Sequence, residues 1–226
     1  MSDILRIKLN DSERFLCAVL SHREHLDCQT IIKLYKKVGD EDLFSVCKHN
    51  KIESIATDAL GVCLGLDQLP EHWLESYAVV DRRISSYMKE LDRVAKLLSN
   101  LNIPLVALKN SGITRGLYPY YGACPMGDMD VLVKKEDYSD AKRLLIDDGY
   151  IFGNRNFMEK AFYKKLSGGE PLWFELLVRS VDGRWISPDQ EPGTDELIES
   201  SVAINGSDVR ILSPEHNLLQ VCLHTA

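Results

Sequence analysis

The chain lacks any pair of cysteines close enough in sequence to form a CxxC zinc or redox site; its six cysteines stand at 17, 28, 47, 63, 124 and 222. Thiols so dispersed in a chain of 226 residues read as reduced and mostly buried. It also lacks an apolar run long enough to span a bilayer. The opening stretch MSDILRIKLNDSERF alternates charge with apolar residues and has no hydrophobic segment of the secretory kind, so a cytoplasmic address and no membrane partner are expected. Positive charge is in deficit: 27 Lys and Arg against 34 Asp and Glu give a formal charge of −7. Proteins that grip nucleic-acid phosphates usually carry a basic face, so a small-molecule, peptide or protein partner fits better than nucleic acid. Internal repeats and low-complexity tracts are absent. His22 and His25 stand three apart without a third ligand nearby and read as a solvated face. What is present is 45% apolar residue, enough for one substantial core with a helical attachment.

Residues 1–103 read as a helical region. Apolar residues recur at helical spacing around Phe15–Leu20, Ile31–Tyr35, Leu43–Cys47 and Ile52–Leu60, the last ended by Gly61 and Gly65. After Pro70 a three-four stripe runs from Trp73 to Leu101 and stops at Asn102 and Pro104. Beyond Pro104 the texture changes. Leu105–Leu108 has strand length, Lys109-Asn110-Ser111-Gly112 reads as a turn, and a short helix follows over 111–118. Asp128–Val133 is a strand, 135–148 an amphipathic helix closed by Gly149, and Tyr150-Ile151-Phe152 another strand. Strands over 157–166 and 171–178 flank Ser167-Gly168-Gly169 as a hairpin. A helical turn at 195–200 precedes a second hairpin around Asn205–Asp208. Ser213-Pro214 then opens a helix still running at Ala226, which suggests a longer natural chain. The expected fold is α+β: a small mixed β-sheet core over 104–212 flanked by helices, preceded by the helical region 1–103 and followed from 213 by the start of another.

The chemistry gathers at Asp128-Met129-Asp130. Carboxylates at i and i+2 on a strand project to one face, where they repel unless a cation stands between them. Hard oxygen donors suit Mg2+, with Mn2+ also acceptable. Met129 faces the other way, and Val131-Leu132-Val133 anchors the strand. Glu175, inside the apolar run Leu172–Val178, is an acidic residue in need of a partner or metal and is the candidate third carboxylate.

Residues 105–150 resemble the uncharacterised nucleotidyltransferase family within the DNA polymerase β-like superfamily. The resemblance rests on Leu108-Lys109, Leu117-Tyr118-Pro119, Pro125-Met126-Gly127-Asp128-Met129-Asp130 and Gly149-Tyr150, and more loosely on 212–226. It implies a nucleotidyltransferase core that moves an NMP from an NTP to a hydroxyl or phosphate of an acceptor and releases pyrophosphate. Asp128, Asp130 and Glu175 would be catalytic and hold two metal ions. Lys109, Asn110, Ser111 and Gly112 would receive the triphosphate at a helix start. Two positions depart from the family pattern: Asn110 stands where a glycine is usual, and Cys124 where an arginine is usual. Arg115, Lys160 or Arg179 could supply the missing cation. The alternatives are an inactive relative kept as a binding or regulatory module, a helical scaffold protein whose Asp-x-Asp is structural, and a tRNA-directed enzyme marked by a basic stripe at Lys160, Arg179 and Arg184.

Overall fold

The computed structural model describes residues 8–118, 120–154, 160–181 and 187–225, and the chain packs as two compact units. One comprises Met1–Arg82 with Tyr120–Pro125; the other comprises Arg83–Pro119 with Met126–Ala226. This division runs through the long helix that sequence periodicity assigned whole to the first region, and it leaves the terminal helix with the sheet.

In the helical unit lie α1 (Asp11–Val19), α2 (Cys28–Val38), α3 (Asp40–His49), α4 (Glu53–Leu64) and the first part of α5 (Glu71–Ser99). Local chemistry sets their ends. Asn10 and Glu13 close a capping box on α1, and the Asp27 carboxylate accepts from the Thr30 N–H at the start of α2. Gly65, at φ +96°, ends α4, whereas Gly61 lies inside that helix rather than terminating it. Phe15, Ile31, Leu43, Leu60 and Trp73 are the large side chains of this unit's core. The cysteine expectation needs correction here. Cys28 and Cys63 are joined by a disulfide across Cα atoms 5.0 Å apart, and Cys17 and Cys222 are exposed. The folding of α2 and α4 brings together two thiols that are 35 residues apart, a proximity no local spacing reveals. Cys47 does follow the expectation: it is buried, and burial pushes its thiol up to about 12.

The second unit is a seven-stranded mixed sheet with helices. Its strands are β1 (Leu105–Leu108), β2 (Asp128–Leu132), β3 (Ile151–Asn154), β4 (Lys160–Lys165), β5 (Pro171–Leu177), β6 (Val202–Ala203) and β7 (Val209–Ile211), in the order β3-β4-β5-β2-β1-β7-β6. The β1/β7 and β2/β5 pairs are parallel and the other four antiparallel. Helices α6 (Lys109–Gly116), α7 (Tyr138–Asp147), α8 (Thr194–Glu199) and α9 (Pro214–Thr225) complete it. Thus nine α-helices and seven strands occur among the described residues, in an α+β fold with a helical N-terminal region. Strand β5 alternates by burial as a half-covered strand should: Leu172, Phe174 and Leu176 are buried, while Trp173 and Glu175 face the other side. The expected strand start at 157–159 lies outside the described residues.

One local prediction fails instructively. No turn separates β1 from α6: the helix begins at Lys109, directly after the strand. Lys109 takes φ +49° to make the change of direction. Gly112 permits it, because a Cβ there would stand 2.6 Å from the Ala107 carbonyl oxygen. Its glycine requirement comes from this close approach of helix to strand.

Candidate active site

Parallel pairing sets the registers Asp128↔Trp173 and Asp130↔Glu175, so β2 and β5 carry all three predicted carboxylates on one face of the sheet. Asp130 is 5% exposed, and the Glu175 carboxyl lies within hydrogen-bonding reach of it. On the other side of β2, Leu108 of β1 pairs with Asp130, and the next residue is Lys109. Its ammonium donates to Asp130 Oδ1 at 2.8 Å. Burial works against that ammonium, but Asp130, with Glu175 and Asp128 behind it, outweighs burial and holds the amine above its ordinary value. Burial in turn lifts the Asp130 carboxyl above the usual carboxylate range, against the pull of Lys109.

The four residues predicted for the phosphate turn have separate placements. Lys109 joins the carboxylates. Asn110 is exposed at the start of α6. Ser111 is fully buried, and its hydroxyl accepts the Asp130 N–H at 3.1 Å, which ties the helix to β2. Gly112 is buried against β1. Of the proposed substitute cations, Arg115 is paired with Asp92 at 2.9 Å and Arg179 with Glu191. The Lys160 side chain and Arg184 lie outside the described part of the structure. Cys124 belongs to the segment that packs with the helical unit.

A residue the sequence did not single out secures this arrangement. Gln220 of α9 is 3% exposed; its Oε1 accepts the Lys109 N–H at 2.9 Å, and its Nε2 donates to the Ser180 carbonyl at 2.9 Å. The first N–H of a helix has no intrahelical acceptor, so this side chain satisfies a group that burial would otherwise orphan. Sequence pattern pointed the other way, since the neighbouring Leu218, Leu219 and Val221 are the exposed positions.

Do these residues fit a divalent cation? Three carboxylates and one ammonium leave a formal charge of about −2, which one divalent ion balances, and all donors are hard oxygens. Among the described residues, no three His, Cys, Asp or Glu side chains stand as a ready coordination cage. The Lys109 ammonium sits against Asp130 where a cation would bind. The donor chemistry and charge therefore fit, with Lys109 as the resident counter-ion.

A sequence model of an uncharacterised nucleotidyltransferase family matches residues 36–226. The chain belongs to that family. Membership supports nucleotidyl transfer as the general activity and implies an NTP as the substrate. No curated protein and no solved structure matches the chain. No described helix is long and apolar enough to cross a membrane.

Proposed function

We propose that this nucleotidyltransferase transfers an NMP from an NTP to a hydroxyl or phosphate of an acceptor, with Mg2+ held by Asp128, Asp130 and Glu175. The observation that supports it is the register that sets Asp130 beside Glu175, with Asp128 two positions along the same face. A divalent ion bound there would neutralise triphosphate oxygens and lower the charge developing on the phosphoryl group. The protein's own residues orient the reaction. Lys109, which donates to Asp130 and opens α6, would turn to the triphosphate. Glu175 would accept the proton as the acceptor oxygen attacks the α-phosphorus. The new P–O bond forms as the bond to the bridging oxygen breaks, and pyrophosphate leaves.

The Lys109–Asp130 pair favours a second reading, in which the family fold survives as a metal-free nucleotide-binding module. Incubation with α-labelled NTPs, Mg2+ and fractionated cell extract separates the two. Label should reach an acceptor with wild-type protein and not with the Asp128→Ala/Asp130→Ala variant; equal labelling by both would sink the transfer mechanism. NTP binding that is indifferent to Mg2+ would support the module.

A further inference from the structure

The strand registers extend beyond the carboxylates. Asp128 pairs with Trp173, Trp173 with Tyr163, and Tyr163 with Ile151, so four strands contribute one cross-sheet row on the carboxylate face. Lateral neighbours in such a row lie about 5 Å apart. The Trp173 and Tyr163 rings are in contact, with centroids 5.1 Å apart and planes at 54°. Both are half-buried, and Ile151 at the end of the row is 66% exposed. The opposite face of the same strands, with Phe162, Leu172 and Phe174, is fully packed. The aromatic row is therefore not part of that core.

Position gives the row its meaning. Lys109 and the start of α6 follow β1, on one side of β2; Glu175, Trp173 and Tyr163 follow on the other. If triphosphate enters on the α6 side, the acceptor approaches over β5 and β4. We propose that Trp173 and Tyr163 form the acceptor platform, stacking a planar ring so that a hydroxyl on the same molecule reaches Asp128 and Glu175. The ligand class is a ring-bearing hydroxyl compound, met in both tyrosyl side chains and nucleosides. This rests on the nucleotidyl-transfer reading. An aromatic face recognises a planar ring through dispersion and quadrupole complementarity, whereas an isolated hydroxyl gains nothing from it.

The test uses the full chain with three probes, N-acetyltyrosinamide, adenosine and N-acetylserinamide, and ligand-observed NMR in the presence of Mg2+ and a non-hydrolysable NTP. One or both ring probes should bind and the serine probe should not; which ring binds distinguishes the two sources. Trp173→Leu should weaken ring binding about ten-fold, within the range for loss of one stacking contact, while Trp173→Phe, which keeps a flat face, should retain most of it. Thermal unfolding confirms that both variants are folded, and Tyr163→Leu supplies a second test of the same row. Equal binding by Trp173→Leu and Trp173→Phe would overturn the platform, as would a parallel loss of NTP affinity, which would place the NTP base on the row. Wild type that binds rings but never transfers label refutes transfer and leaves the platform; label transfer without ring preference does the reverse.

Discussion

Lys109 carries the most consequence of any single side chain. Its ammonium neutralises part of a half-buried acidic cluster, and breaking its ion pair with the buried Asp130 from one side should cost roughly 3–5 kcal/mol at most. Lys109→Met should lower the thermal midpoint accordingly. It should also make the protein more responsive to Mg2+, because the vacated position at Asp130 then favours a divalent ion. A Mg2+ titration followed by thermal unfolding checks this, and a midpoint unmoved by Mg2+ in both proteins would count against a metal at these carboxylates. Gln220 acts one step back. Gln220→Ala leaves the Lys109 N–H and the Ser180 carbonyl without their partner, at a cost of about 1–3 kcal/mol. The predicted signature is local: hydrogen exchange should accelerate at the Lys109 amide more than at β2.

Between elements, the second part of α5 is linked to the end of α7 and to β4 by a charge network. Arg93 bonds Glu90 at 2.8 Å and also grips Asp148; Lys164 reaches Asp148 at 2.8 Å and Glu90 at 3.1 Å; the Tyr150 hydroxyl donates to Glu90 at 2.8 Å. Arg93 holds the Asp148 carboxyl below its ordinary range. Burial raises Glu90, but Arg93, Tyr150 and Lys164 more than reverse this. Both groups therefore bind protons more tightly in the unfolded chain. Their contribution to stability is complete above an ordinary carboxylate pKa of about 4 and is lost as pH falls through the lower folded values. Thermal midpoints measured from pH 7 down to 3 should fall in the acid range, and Asp148→Asn should flatten that fall. Periodicity located α5, α7 and β4 to within a few residues, but their charged partners lie 16 to 74 positions apart and could not be paired from spacing.

At the scale of the whole molecule, the disulfide is the covalent constraint on the fold. Cys28–Cys63 closes a loop of 35 residues, worth about 4 kcal/mol in the chain-entropy treatment. Reduction, or the Cys28→Ser/Cys63→Ser variant, should lower the unfolding temperature and raise hydrogen exchange in α2 and α4. An unchanged melting curve in reductant would show that the bond contributes nothing.

By itself the sequence determined most element types, though not the helix start at Lys109, together with the α+β class and the strand bearing Asp128 and Asp130, because periodicity and turn chemistry are local properties. It also singled out Glu175, since an acidic residue within an apolar strand is visible without a structure. Only the tertiary structure decided which strand lies beside which. Pairing β2 with β5 at Asp130↔Glu175 joins residues 45 positions apart, and the same register adds Trp173 beside Asp128. The structure also set the Lys109 ammonium against Asp130 as its counter-ion, and gave Gln220 its place at the head of α6. Such contacts depend on sheet order and helix docking, which are long-range outcomes of burial that no spacing rule encodes.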